Sequence, residues 1–318
     1  TLKTSELIVT YKENAPFSAE TLTVKLINEP ASEWHFGDDY EDLGGTAKTL
    51  DEIVGNVNIE RGICSRYGFT ILDDKDRMLL DDSGWVQNRE KGTEDFYFFG
   101  FGYDYFGAIK AYYKLTGAPP LLPAYALGNW WSRYHKYTQD EYQQLMLKFK
   151  KEGVPFSVGV VDMDWHTTDV PAEEKPQYSV SPTPGWTGYT WKEQLFPSPA
   201  SFLKWCENEE LKTSLNLHPA SGIQPYEEPY ERFCKAYGWN EAGKSVPFKI
   251  DEQKWADAYF DTVLGPMENM GVDFWWLDWQ QWRESKFTKG LSNTFWLNYV
   301  FDKHASQRGN ERPMIYHR

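Results

Sequence analysis

Residues 272–278, Val272-Asp273-Phe274-Trp275-Trp276-Leu277-Asp278, run apolar almost to their end and then stop on a carboxylate. So short an apolar, aromatic run reads as a buried strand, and period-two alternation puts Phe274, Trp276 and Asp278 on one side of it. The same grammar recurs on either side. Upstream, Thr213-Ser214-Leu215-Asn216-Leu217-His218 and Phe156-Ser157-Val158-Gly159-Val160-Val161-Asp162 read as strands, with Tyr125-Ala126-Leu127-Gly128-Asn129-Trp130 before them. Downstream, Pro313-Met314-Ile315-Tyr316-His317 is a fifth. Helices separate the strands. One opens at Thr138 with Glu141 three positions on, a capping-box signature, and closes at Gly153. Another starts at Ser198-Pro199, a third runs from about Glu252 to Leu264, and a fourth from near Asn293 to Ser306. Such alternation predicts an α/β fold with a parallel sheet, either doubly wound or a (β/α)8 barrel. The strand count favours a (β/α)8 TIM barrel that is incomplete in this chain. Half a barrel leaves apolar strand edges open, so more polypeptide is expected beside it.

Before about Gly107 the grammar is different. Glu6–Tyr11, Thr21–Leu26, Phe69–Leu72 and Asp95–Gly100 are short β-rich runs broken by Asn, Pro and Ser, as in a β-sandwich. Tyr105–Thr116 reads as a helix closed by Gly117, and Ala118-Pro119-Pro120 as a linker. The expected organisation is an N-terminal β-sandwich over 1–107, a connecting helix and linker over 108–123, and the first half of a (β/α)8 barrel over 124–318.

Bulk composition narrows the function. The chain has 318 residues and 41% hydrophobic content, enough for two domains or a barrel with an appendage. Aromatic residues reach 17%, including 15 Trp. Aromatics usually fill cores, but this many Trp also suits carbohydrate, whose apolar C–H faces a flat ring can cover. A formal net charge of -14 argues against nucleic acid and against an anionic membrane surface as partner. The three cysteines, Cys64, Cys206 and Cys234, show neither a disulfide framework nor zinc spacing. No apolar run approaches a membrane span. The first residues already read as strand, which leaves the compartment open.

Polar residues collect where the strands end, which is where barrel enzymes carry their chemistry. The ends supply Asn129, Trp130, Trp131 and Arg133; then Asp162, Asp164, Trp165 and His166; then Asn216 and His218; then Asp278; then His317 and Arg318. Carboxylates can accept from sugar hydroxyls, and one ionised Asp can attack an anomeric carbon. Asp278 also suits a helix N-cap, and Asp162 with Asp164 suits a cap or a structural ion. His218 and His317 sit in no metal-binding motif and read as hydrogen-bonding or structural.

With Leu43-Gly44-Gly45-Thr46-Ala47-Lys48-Thr49-Leu50-Asp51, Ser65-Arg66-Tyr67-Gly68-Phe69, Asp81-Asp82-Ser83, Leu122-Pro123-Ala124-Tyr125-Ala126-Leu127-Gly128, Asp162-Met163-Asp164-Trp165 and Trp276-Leu277-Asp278-Trp279 in this order, the chain resembles glycoside hydrolase family 31, the α-glucosidase and α-xylosidase family. The resemblance implies Asp278 as catalytic nucleophile, and Asp162 and Arg318 as residues binding the sugar where cleavage occurs. Trp276 and His218 are then expected to shape the sugar pocket, with Trp130 and Trp165 as wall residues. Where many members carry Met-Asn-Glu after the nucleophile this chain has Trp279-Gln280-Gln281, which points to a different branch. The family's general acid/base is an Asp on the segment after the Arg, so it is expected outside residues 1–318, in a C-terminal part of the same protein or in a companion chain.

The expected activity is that of a retaining, exo-acting α-glycoside hydrolase on an α-glucoside or related oligosaccharide, with no metal or organic cofactor needed. Transglycosylation and elimination, as in α-glucan lyases, use the same nucleophile. A non-catalytic sugar-binding subunit and a barrel enzyme with Asp162 and Asp164 on magnesium are the alternatives from other classes. The insertion from Thr167 to Trp191, with Trp186, Tyr189 and Trp191, is expected to border the site's entrance.

Overall fold

A computed structural model describes residues 1–47, 53–171, 185–278, 283–309 and 311–317. Arg318, Trp279, Gln280 and Gln281, and part of the Thr167–Trp191 insertion, lie outside the described residues. The chain divides into two compact units, Thr1–Pro119 and Pro120–Arg318.

In the first unit, β1 (Leu2–Lys3), β2 (Leu7–Tyr11), β3 (Leu22–Leu26) and β4 (Glu33–His35) form an antiparallel sheet in sequence order. Alternation decides which face is buried: Leu22, Val24 and Leu26 of β3 point inward and Lys25 outward. Against them pack Phe69, Ile71, Phe96 and Phe98 from β5 (Phe69–Asp73) and β8 (Phe96–Gly100), which pair with each other antiparallel. Two antiparallel layers sharing one aromatic core make a small sandwich. The hairpin of β6 (Leu79–Leu80) and β7 (Val86–Gln87) stands apart as its own ladder. Helix α1 (Tyr105–Thr116) is capped by Asp104, whose carboxylate accepts from Gly107 N.

In the second unit, β9 (Trp130–Trp131), β10 (Val158–Val161), β11 (Lys212–Leu217), β12 (Phe274–Leu277) and β13 (Tyr316–His317) form one parallel sheet, also in sequence order. Helix α2 (Gln139–Lys151) starts with the expected capping box at Thr138 and Glu141. Helices α3 (Pro199–Asn208), α4 (Tyr230–Tyr237), α5 (Gln253–Tyr259), α6 (Gly265–Met270) and α7 (Asn293–Gln307) complete the alternation. A π-helical stretch, Phe260–Leu264, joins α5 to α6, so the helix expected to end at Leu264 continues to Met270. The sheet is curled. Trp130 on one edge strand meets Tyr316 on the other, ring centroids 5.4 Å apart, and both rings pack with residues of β12. This is the curved parallel half-sheet of an incomplete (β/α)8 barrel.

The expected first strand, Tyr125–Trp130, needs correction. Residues Ala124–Leu127 form a 3-10 turn after Pro123, and the strand is only Trp130–Trp131. Tertiary contacts outweigh the β pattern here: Tyr125 stacks on Phe274 at 5.9 Å, and its carbonyl accepts from Ser157 Oγ at 2.7 Å.

Candidate active site

Strand register brings the candidate residues together. Val161 pairs with Leu215, Asn216 with Trp276, and Trp276 with Tyr316, so Asp162, Asn216 and Trp276 follow one another along one rung. Val158, Val160 and Phe274 belong to the interior cluster, with Trp276 packed against it. By alternation Asp162, Asn216 and Trp276 therefore face inside, and two residues further on so do His218 and Asp278. Trp275 faces the other way, where its indole N–H donates to Glu268 of α6 at 2.8 Å. On β10 and β12 the inward residues are apolar until Asp162 and Asp278, while β11 also carries Lys212 and Ser214 on the inward rungs of Val158 and Val160.

Asn216 and His218 both reach Asp278. Asn216 Nδ2 donates to its Oδ2 at 3.5 Å, and His218 Nε2 lies 3.3 Å from the same oxygen. Asn216 and His218 are almost wholly buried, while the Asp278 side chain keeps 18% exposure. The carboxylate is thus approached on Oδ2 by two buried side chains and keeps partial exposure. Its backbone N–H donates to Leu217 O at 3.1 Å, which extends the β11–β12 ladder up to the site. Asp162 caps the short 3-10 turn Met163–Trp165 by accepting from Met163 N at 2.7 Å. Burial pushes its carboxyl above the ordinary range; Met163 N–H and His218 pull it down, and Asp278 and Asp164 push it further up. These influences bring Asp162, His218 and Asp278 into one electrostatic neighbourhood.

The two wall tryptophans are placed differently from expectation. Trp165 is fully buried, its indole N–H donating to Asn216 O at 2.7 Å. It offers no face to a ligand and instead fixes the strand that carries Asn216. Trp130 pairs with Val158, four residues before Asp162, or roughly 13 Å at about 3.3 Å per strand residue. It fills the barrel interior with Phe274 and Tyr316 rather than the rim. His317 is tied to α7, where Asn298 Nδ2 lies 2.9 Å from its Nδ1.

Trp186 belongs to the rim, although it was expected only as part of a bordering insertion. Its indole meets the His218 ring at 4.6 Å. Thr187 Oγ1 donates to His218 O and accepts from Ser221 N at 3.1 Å. Residues 185–191 thus sit at the strand ends, on the face that carries Asp278. Glycine allows this close seating: a Cβ on Gly188 would run into His166 Nδ1, and Gly185, at φ +77°, lies against the Thr168 backbone.

A curled parallel sheet with carboxylates and amides at the C-terminal ends of its strands defines part of a (β/α)8 barrel. The family model of the TIM-barrel domain of glycosyl hydrolases family 31 matches residues 119–318, and the chain belongs to that family. An α-xylosidase of Saccharolobus solfataricus is 27% identical over 244 residues, covering 74% of this chain and 30% of that protein. An α-glucosidase of the same organism is 26% identical over 183 residues, covering 54% of this chain and 23% of that protein. Among solved structures, a Flavobacterium johnsoniae family 31 dextranase complexed with isomaltotriose aligns with a TM-score of 0.60 at 14% identity. The alignment covers 99% of this chain and 45% of that one, and it shows the shared fold. The chain spans under a third of the length of the curated relatives it matches.

Proposed function

We propose that the protein containing this chain is a retaining, exo-acting α-glycoside hydrolase in which Asp278 is the nucleophile. The observation that carries the reading is the setting of Asp278 at the end of β12, with Asn216 and His218 both on its Oδ2. That arrangement restrains the rotation of the carboxylate at the C-terminal end of β12. In the proposed reaction Asp278 attacks the anomeric carbon and the aglycone oxygen leaves with a proton from the general acid. Water then displaces Asp278 from the β-glycosyl intermediate, with net retention. Asp162 accepts from sugar hydroxyls, Trp276 lines the pocket beneath the ring, and Arg318 takes part in the same subsite. The general acid/base is assigned to sequence outside residues 1–318.

An α-glucoside is the proposed substrate. An α-xyloside is the second reading, favoured by the longer match to the α-xylosidase. Transglycosylation or elimination from the same intermediate are alternative fates, and sugar binding without turnover is the alternative from another class. One experiment separates these. The full-length protein is incubated with matched aryl α-glucoside and α-xyloside, and the first-formed sugar is followed by proton NMR. Appearance of the α-anomer before mutarotation supports retention, and the faster of the two substrates names the sugar. A β-anomer, or no turnover of either, overturns the retaining α-glucosidase and α-xylosidase readings together.

A further inference from the structure

The limb formed by residues 185–191 rests on a buried carboxyl that the proposed reaction does not use. Glu227 is 4% exposed. Its Oε2 accepts from Tyr189 N at 3.1 Å and from Thr190 Oγ1 at 2.5 Å, and Glu228 N donates to the same Thr190 hydroxyl at 2.8 Å. The other oxygen, Oε1, is buried and makes no hydrogen bond among the described residues. A buried acceptor without a partner is costly, and a neutral amide could accept from Tyr189 N and Thr190 equally well. At its far end the limb sets Trp186 against His218, which in turn touches Asp278.

We propose that Glu227 is a positioning residue for the substrate entrance: it fixes the 185–191 limb, and through it holds Trp186 as one wall of the sugar pocket above Asp278. The assignment of Trp186 as a pocket wall rests on the glycosidase reading; the fixing of the limb does not. Burial pushes the Glu227 carboxyl up to about 7, against the hydrogen bonds from Thr190 and Tyr189. A carboxyl whose value rises on docking binds its proton more tightly in the docked state. The limb is therefore held fully below about 4.5, the ordinary value, and its hold weakens as pH rises through about 7. Tyr189, Tyr259 and His166 around the limb do not titrate between about 4.5 and about 7, and His218 faces the far end of the limb at Trp186. Burial raises the Tyr189 and Tyr259 phenols further, and His166, against Gly188 on the limb's other side, is held down to about 3 by burial. Tyr226 adjoins Glu227 in sequence, and Glu228 is paired with Arg232.

The test is hydrogen exchange by mass spectrometry on the full-length protein without sugar, comparing peptides over 185–192 at pH 5.5 and 7.5. After correction for intrinsic rates, opening of the wild-type limb should increase about 20-fold between these values, the ratio expected for a shift from 4.5 to about 7. Glu227→Gln should remove the pH dependence, and Glu227→Ala should open the limb at both. If Glu227→Ala does not fold, Thr190→Val replaces it, with partial opening expected. A Glu227→Gln profile that follows the wild type overturns the proposal, as does protection unchanged in Glu227→Ala or Thr190→Val. In kinetics, Glu227→Gln should flatten the pH dependence of KM while leaving kcat within about threefold. Exchange behaving as expected in a protein that turns over no glycoside sinks the reaction and keeps the limb. The converse result sinks the limb alone.

Discussion

The proposed reaction gives each inward residue at the strand ends a separate job, and substitutions should separate the jobs. Asp278→Asn should lower kcat by about 10^4-fold or more with little change in KM, because a nucleophile acts after binding. His218→Ala, which removes a neighbour of Asp278 Oδ2, should cost roughly 10-fold to 100-fold in kcat, read from initial rates. Asp162 makes the sharper prediction, because binding and stability pull on it in opposite directions. Its carboxyl is raised by burial, so the stability it contributes is full below its unfolded value and is lost as pH rises through its folded one. Asp162→Asn should therefore raise KM yet leave Tm at pH 7 equal or higher by about 1–3 °C, an advantage that disappears below pH 4. Asp162 and Asp278 could be singled out in the sequence because a carboxylate closing an apolar run is costly unless it is hydrogen-bonded or put to chemical use. Trp165 could not be placed, since its burial depends on Asn216, 51 positions away.

Elements behind the site hold the strand that carries Asp278. Glu268 on α6 accepts from Trp275 Nε1 at 2.8 Å, and it faces His304 Nε2 at 2.9 Å and Arg308 Nε at 3.1 Å, so α6, β12 and the end of α7 meet on one carboxylate. Burial alone would push its value up, but His304, Trp275 and Arg308 together bring it below the ordinary range. Its contribution is therefore present above about 4.5 and lost as pH falls through the folded value. Glu268→Ala should cost about 3 kcal/mol in urea unfolding at pH 7, less at pH 4, by leaving the Trp275 N–H without its acceptor and removing the carboxylate that His304 and Arg308 face. A second anchor holds the segment that follows Asp278 in the chain. Asp251 accepts from Ser285 Oγ at 2.7 Å and Thr288 Oγ1 at 2.5 Å, tying down the segment that begins five residues past Asp278. Asp251→Ala should lower kcat/KM about 10-fold while leaving far-UV circular dichroism unchanged. Helices with local start signals, the capping box of α2 and the Ser198-Pro199 start of α3, were legible from local chemistry. The 3-10 turn at Ala124–Leu127 and the π stretch at Phe260–Leu264 were not, because contacts distant in sequence decide them.

Across the whole molecule, the two kinds of grammar in the sequence correspond to an antiparallel sandwich and a curled parallel half-sheet. The periodicity of 2 in both halves, and the helix signals in only one, carry that distinction. Trp186 was read only as part of the insertion bordering the entrance, and Glu227 had no role, because their partners His218 and Tyr189 lie 32 and 38 positions away. Family 31 membership is shown over residues 119–318, and the glycoside chemistry proposed for it leaves the sugar to experiment. The most direct test of Asp278 as nucleophile is mass spectrometry of the full-length protein after incubation with a 5-fluoro-α-glucosyl fluoride, and with its xylosyl counterpart. A stable mass increase that maps by peptide fragmentation to Asp278 is the predicted result, and the reagent that reacts faster identifies the sugar. Labelling of a different carboxylate, with Asp278 unmodified, would contradict it.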